Sequence, residues 1–166
     1  MSERSQNQAI DHLSRRLEAE LEKVTEFFKG LADDAWRVEV YTEGSRWSVA
    51  QVLGHMITSE RALRKLIITI LEGGRGAPQD FDIDRFNESQ MRKFEADPPA
   101  DPLHVLAEER SQTLAYLAGL DPESLAMEGR HPYFGDVSVQ KLFKWIYQHA
   151  HVHLREIQAA LPSPDS

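Results

Sequence analysis

The sequence predicts an all-α protein, a four-helix bundle with a long crossover between its second and third helices. Three observations predict it: apolar residues recur every three or four positions over four long stretches, three of these stretches begin with helix-capping signals, and no stretch shows the sustained period of two that is typical of strands. We see no internal repeat. A length of 166 residues suits one domain, so we expect a single bundle domain over residues 1–166.

Composition narrows the possible partners. A net charge of −8 argues against binding to the phosphate backbone of nucleic acid and against docking on anionic membranes. The chain has no cysteine, so a bound metal would use nitrogen and oxygen ligands. The N-terminus lacks the apolar core of a signal peptide, and the longest apolar run, "LIITIL", is too short to cross a bilayer. We therefore expect a cytoplasmic protein.

The first two helices are read from periodicity and capping. The apolar positions of the first are Ile10, Leu13, Leu17, Leu21, Val24, Phe28 and Leu31. This spacing predicts a long amphipathic helix. A polar, turn-rich connection containing "TEGSRW" follows. In the second helix Ser48 is the N-cap and Gln51, three residues later, completes a capping box; the helix is expected to run to about Leu71.

The third and fourth helices follow irregular segments. Residues 72–100 are rich in Gly, Pro and Asp at both ends, with room for a short helix in the middle. Asp101 as N-cap, followed by proline, opens a third helix to about Leu120. After a second irregular stretch, Ser138 caps a fourth helix that runs to about Ala160.

The fourth helix carries three histidines spaced two apart. At about 100° per residue, His149 and His153 fall within the apolar stripe, whereas His151 falls on the opposite face. A pair at i, i+4 places two imidazoles one turn apart, the spacing by which a helix holds one metal ion. Histidines that are hydrogen-bonded core residues rather than ligands are an equally good interpretation of this helix taken alone.

A third ligand is available in the second helix. His55 lies seven residues into that helix, about 10 Å along its axis, and the histidine pair lies about 11–17 Å from the far end of the fourth helix. His55 and the histidine pair lie at the same height along the bundle axis if the second and fourth helices are antiparallel. The long segment 72–100 allows this by making the third helix parallel to the second, which gives the order up-down-down-up.

The remaining candidates have weaker signals. Ser59 and Glu60 lie close to His55 along the second helix and could orient a ligand histidine, although Glu60 could equally pair with an arginine inside the apolar stripe. His131 lies in the loop before the fourth helix, where a turn-capping role is favoured over a place at a pocket mouth. His12 and His104 are expected at the surface. A di-iron carboxylate site is excluded, because only "EGRH" matches Glu-x-x-His, in a loop.

Three stretches of the chain resemble a known family. "WSVAQVLGHMITSER", "FDIDRFNESQMRK" and "HPYFGDVSVQKLFKWIYQHAHVHLREI" resemble, in order and spacing, the signatures of the DinB/YfiT-like superfamily and its maleylpyruvate-isomerase-like branch. The resemblance implies the metal ligands His55, His149 and His153 on an up-down-down-up bundle. It also implies a homodimer and, in several relatives, a reaction that uses mycothiol, bacillithiol or glutathione. Ala150, Val152 and Glu156 depart from the pattern and leave any particular thiol open.

Three histidine ligands leave at least one coordination position open. Two enzymatic classes follow, thiol-dependent transfer or isomerisation of a small molecule and metal-assisted hydrolysis; the third class is a ligand-binding bundle with a structural metal. Zinc or nickel is favoured over iron. The crossover and the entrance to the fourth helix are expected to form the substrate pocket, because irregular segments on a rigid scaffold often carry substrate contacts. Its predicted wall residues are Phe81, Phe86, His131, Tyr133 and Phe134.

Overall fold

A computed structural model describes residues 3–163, with side chains from residue 7 onward. Four long helices form a bundle, and a shorter helix lies in the crossover. The helices are α1 (Glu3–Lys29), α2 (Val49–Leu71), α3 (Ile83–Ala96), α4 (Pro102–Ala118) and α5 (Val139–Ala160). No helix among the described residues is long and apolar enough to cross a membrane. The all-α class and the positions of the four long helices are confirmed.

The helix directions follow from the side chains that meet. The beginning of α2 packs with the end of α5 in one buried cluster, which includes Val49 and Ile157. The end of α2 packs with the beginning of α5 in a second cluster, which includes Ile70 and Val139. These two helices are therefore antiparallel. α4 runs parallel to α2, because bonds join Arg110 in α4 to Glu60 and join Thr113, one turn further along, to Arg64. The bundle has the expected up-down-down-up order.

The capping signals act as expected. The Ser48 hydroxyl accepts from the backbone N–H of Gln51, while the Gln51 side chain accepts from the backbone N–H of Ser48. Asp101 accepts from the N–H of His104 at the start of α4, and Ser138 accepts from the N–H of Lys141 at the start of α5. Each cap satisfies backbone donors that a helix start leaves unpaired.

Two β-hairpins were not expected from the sequence. β1 (Glu39–Thr42) pairs antiparallel with β2 (Ser45–Ser48), and β3 (Glu128–His131) pairs antiparallel with β4 (Gly135–Ser138). The expectation that residues 128–131 form a loop is wrong, because His131 ends a strand and is buried. Each strand has only four residues, too few for a sustained period of two to be recognised.

The chain contains a structural repeat that the sequence does not show. A 3₁₀-helix, a hairpin, a serine cap and a long helix follow one another over residues 33–71 and again over residues 122–160. Equivalent backbone hydrogen bonds close the two units, from Val49 N–H to the Val38 carbonyl and from Val139 N–H to the Met127 carbonyl. The expectation of no repeat is wrong; the sequence hides the repeat because the two units share few side chains beyond the capping serine and the valine after it, Val49 and Val139.

The crossover is fixed at both ends. Gly76 bridges to Arg130 of β3, and the N–H of Ala77 donates to the Arg130 carbonyl over 2.8 Å. A Cβ atom at Gly76 would lie 2.4 Å from the Arg130 nitrogen, so only glycine allows this approach. At the other end, the Phe94 ring of α3 packs directly on Gly54 of α2. The crossover therefore lies beside α2 at the level of His55.

Candidate metal centre

Four side chains converge inside the bundle between α2, α5 and the first hairpin. They are His55 of α2, His149 and His153 of α5, and Glu43 in the turn between β1 and β2. The ring centroids of the three histidines lie 4.2–5.1 Å apart. All three imidazoles are buried, whereas the Glu43 side chain is 36% exposed. The antiparallel α2 and α5 thus bring together the three histidines that the sequence paired by depth.

The donor atoms face one another at short range. Nε2 of His149 lies 2.8 Å from Nε2 of His153. The Glu43 carboxylate reaches all three rings: its Oε1 is 2.7 Å from Nε2 of His149 and 3.4 Å from Nε2 of His153, and its Oε2 is 2.9 Å from Nε2 of His55. Each of the four residues offers one ligand atom, and these atoms lie within 4.8 Å of one another.

The outer ring nitrogens have partners of their own. Nδ1 of His153 lies 3.0 Å from the Thr42 hydroxyl and 3.1 Å from Oε1 of Glu156, although the latter contact lacks hydrogen-bond alignment. The Ser59 hydroxyl lies 3.3 Å from Nδ1 of His55. Such contacts fix the orientation and tautomer of a ligand imidazole.

The electrostatics favour the metal-binding forms of His55, His149 and Glu43. Burial lowers the pKa of His55, and burial lowers the pKa of His149 to about 4 despite the opposing effect of the Glu43 carboxylate. For Glu43, burial by itself raises the pKa, but hydrogen bonds from His149, His153 and His55 outweigh it and hold the pKa well below its usual range. Neutral imidazoles and an ionised carboxylate are the states that ligate metals.

The donor set fits a metal ion. Nε2 of His153 faces both Nε2 of His149 and the negative carboxylate of Glu43, and a central cation would bind all three groups at once. Donors around a tetrahedral ion with bonds of 2.0–2.2 Å lie about 3.3–3.6 Å apart, and the separations here, from 2.7 Å for the shortest contact to at most 4.8 Å, include that range. Three imidazole nitrogens and one carboxylate therefore form a candidate metal site.

A large cavity of about 870 Å³ opens beside the cluster. Glu43, His55 and His149 lie in its wall together with Ser59 and Trp145. Of the wall residues expected from the sequence, the cavity is lined by Phe81, Phe86, His131 and Tyr133. Phe134 lies behind the wall instead, where its ring stacks on His131 and contacts Trp145 edge-on. Ligand pockets of this size commonly accept small molecules.

Glu60 does not orient a histidine in the described contacts. Its carboxylate accepts two hydrogen bonds from the Arg110 guanidinium, 2.8 and 3.1 Å long, and one from the Thr113 hydroxyl. Glu60 therefore forms an ion pair with Arg110, as one of the two roles considered for it from the sequence predicts. His151 lies outside the cluster, partly exposed, with Nδ1 3.8 Å from Glu20.

Glu43 is the member of the cluster that sequence analysis missed. It lies in "TEGSRW", which the sequence indicates only as a polar, turn-rich connection. The local signal there is Gly44, which suits the second position of a two-residue hairpin turn. This signal does not show that the turn folds back over the two histidine helices.

His131 caps the turn of the second hairpin and gives a testable pH dependence. Its Nδ1 accepts from the N–H groups of Tyr133 and Phe134, so it must be unprotonated. Burial, together with the Lys141 charge, lowers its pKa from 6.5 to about 4. Between these values the unfolded chain binds more protons, so the free energy of unfolding falls as pH decreases, by at most about 1.4 kcal/mol per pH unit.

The variant His131→Asn tests this link, because asparagine can accept from the same turn without titrating. We expect wild-type protein to lose more stability between pH 7 and pH 4.5 than the variant does, measured by urea unfolding at each pH. Other titrating groups cancel in the difference. Parallel curves for the two proteins would show that His131 keeps its ordinary pKa when folded.

Two solved structures share the fold. YfiT from Bacillus subtilis, described as "a probable metal-dependent hydrolase with an unusual four-helix bundle topology", is 20% identical, and the match covers 96% of this chain and 87% of YfiT with a TM-score of 0.67. The colibactin self-resistance protein ClbS, in complex with dsDNA, is 15% identical, and the match covers 92% of this chain and 97% of ClbS with a TM-score of 0.68. No curated protein matches in sequence.

The ClbS complex corrects one expectation. From the net charge of −8, the sequence predicts that nucleic acid is not a partner. That exclusion is wrong, because a protein with this fold is seen bound to double-stranded DNA. Net charge averages over the whole surface, whereas a nucleic acid contacts only one part of it.

The sequence itself places the chain in a family. The model of the DinB superfamily matches residues 16–157, which include all four members of the cluster and the whole crossover. This match agrees with the fold shared with YfiT and with the up-down-down-up order of the helices. The chain belongs to the DinB superfamily.

Proposed function

We propose that this chain is a metal-dependent enzyme for a small molecule, with a divalent ion held by His55, His149 and His153. One observation carries the proposal: three buried imidazoles converge on one point, and two of them, His55 and His149, lie in the wall of a cavity of about 870 Å³. A purely structural ion needs closed coordination but no adjoining cavity, whereas a catalytic ion needs a path for the substrate.

Two groups of residues in the chain would have different roles, one in orienting the metal ligands and one in contacting the substrate. Ser59, Thr42 and Glu156 orient the ligand imidazoles through their outer nitrogens. The aromatic side chains at the cavity wall would hold the apolar part of a substrate and exclude water; these are Phe81, Phe86, Tyr133 and Trp145. A bound divalent ion would supply Lewis acidity, which lowers the pKa of a water or thiol in contact with it. Imidazole donors suit zinc, nickel or iron, and we favour zinc or nickel.

The reaction we favour is thiol-dependent transfer or isomerisation. The chain has no cysteine, so a sulfur nucleophile has to come from a small thiol in the cavity. In a transfer, the thiol gives up its proton, its sulfur forms a bond to the electrophilic carbon, and the leaving group departs with its electron pair. In an isomerisation, sulfur adds to carbon and is expelled again after the bond geometry has changed.

A cobalt-loaded preparation tests this reaction class. We expect mycothiol, bacillithiol or glutathione to change the visible absorption of the cobalt protein, because a sulfur donor next to the ion alters its ligand field. S-methylglutathione, which has no free thiol, is the matched control and should leave the spectrum unchanged. If none of the three thiols changes the spectrum, thiol chemistry is wrong for this site and hydrolysis becomes the better proposal.

Hydrolysis is the second candidate, favoured by the likeness to YfiT, which is described as a probable metal-dependent hydrolase. A panel of ester and amide substrates tests it directly. A ligand-binding bundle with a structural metal is the third. The variant His55→Ala distinguishes a structural metal from a catalytic one. The variant protein should stay folded if the metal serves chemistry, and it should unfold if the metal holds the bundle together.

Three further properties of the protein are predicted from the sequence: a single domain over residues 1–166, a cytoplasmic location and a homodimer. Chromatography with light scattering checks the last of these.

A further inference from the structure

The turn of the first hairpin has an unfavourable residue at its tip. Glu43 and Gly44 form the two-residue loop between the paired Thr42 and Ser45, and both have positive φ, +49° and +81°. Such turns favour asparagine, aspartate or glycine at the first position. A glutamate there is strained, and strain of this kind persists where the surrounding structure or the function requires it.

The strained backbone places one carboxylate against three imidazoles. Oε1 of Glu43 contacts His149 and His153, and Oε2 contacts His55, at 2.7–3.4 Å. No arginine or lysine is among the described hydrogen-bond or ion-pair partners of Glu43. A carboxylate and three imidazole nitrogens that face one another, with no arginine or lysine beside the carboxylate, form a donor set that suits a divalent ion.

Glu43 differs from the three histidines in two ways that matter for exchange. The histidine side chains project from long helices and are 0–9% exposed, whereas Glu43 stands on a two-residue turn and its side chain is 36% exposed. Glu43 lies in the wall of the large cavity, as His55 and His149 do. Displacement of its carboxylate toward the cavity would move only the turn and the side chain, whereas displacement of a histidine would disturb α2 or α5.

We propose that Glu43 is an exchangeable fourth ligand, which occupies the coordination position facing the cavity until an anionic donor of the substrate displaces it. The inference rests on the proposed metal site. A carboxylate in this position would keep water away from the resting ion and would yield to a stronger anionic donor, such as a thiolate on zinc or nickel. Removing it should therefore weaken metal binding but strengthen the binding of outside anions.

The test compares full-length protein loaded with cobalt(II). Glu43→Asn preserves the turn, because Asn-Gly is a favoured pair there, and Glu43→Gln preserves the length without the charge. Glu39→Gln is the matched control, since Glu39 lies in the same hairpin, exposed and paired with Arg46. Chelator competition gives the cobalt affinity, and titration with azide, followed by visible absorption, gives the anion affinity.

We expect both Glu43 variants to bind cobalt at least about tenfold more weakly and azide at least about tenfold more tightly than the wild type. The Glu39 variant should match the wild type in both. Unchanged cobalt affinity in the Glu43 variants would overturn the inference and leave the histidine site standing. Weaker cobalt binding without tighter azide binding would also overturn it, since Glu43 would then be a fixed ligand. A wild-type protein that binds no cobalt would instead refute the metal site.

Discussion

Replacing His149 or His153 with alanine should abolish stoichiometric metal binding, whereas His151→Ala should leave it at the wild-type level. His149 and His153 each direct Nε2 to the same point, with the nitrogens 2.8 Å apart. His151, between them in the chain, lies on the other side of α5 beside Glu20. Loss of one of three imidazole ligands should weaken binding by more than the 10–100-fold typical of lost outer contacts.

Metal analysis after dialysis, at equal protein concentration, measures this difference. His151→Ala is the matched control, since it removes the same side chain from the same helix. Circular dichroism should show native helix content in all three variants, because the two apolar clusters of the bundle remain intact. Equal loss of metal in all three would mean that the histidines bind ions nonspecifically, and retention in His153→Ala would rule out a site with three histidine ligands.

The second large effect concerns stability. Arg110→Met should lower the free energy of unfolding by about 3–5 kcal/mol. Arg110 is buried, donates two hydrogen bonds to Glu60, and also donates to the Leu17 carbonyl of α1. Without it, the buried Glu60 carboxylate would keep only the Thr113 hydroxyl as a donor. A buried charge that loses its partner is far more costly than the pair was beneficial.

Urea unfolding with a constant m-value measures the loss. The double variant Glu60→Met, Arg110→Met should recover most of the stability, because two apolar side chains of similar size can replace a buried pair. Arg61→Ala is the surface control: its side chain is 53% exposed and bonded to Glu109, so it should cost at most about 1 kcal/mol. A decrease in the free energy of unfolding below 1 kcal/mol for Arg110→Met would show that water hydrates the Glu60 carboxylate in the folded variant.

Helix-forming periodicity and capping residues are local properties, and they explain how much of the fold the sequence predicts. Ser48 with Gln51 determines where α2 begins, and Asp101 and Ser138 do the same for α4 and α5. The 100° rotation per residue along α5 separates His149 and His153 from His151. The height of His55 along the bundle could be compared with that of His149 and His153 from helix lengths and the length of the crossover alone, because the rise per residue of an α-helix is fixed.

Contacts between distant parts of the chain could not be predicted this way. Glu43 lies 106 positions before His149, and only the packing of the first hairpin, residues 39–48, brings the two together. The sequence allows either a histidine or an arginine as the partner of Glu60. The face of α4 that packs on α2 determines which of them it is, and in the structure the partner is Arg110. Phe134 was expected at the cavity, but its side chain points behind the wall to Trp145.

The sequence by itself thus determined the helices, their order and the three histidines that share a level in the bundle, since each depends on regular local geometry. Only the tertiary structure decided the two hairpins, the repeated unit and the carboxylate that completes the cluster. Short strands gain their stability from pairing and from packing on the helices, not from their own sequence. The position of Glu43 depends on that packing, so no pattern within the turn itself could reveal it.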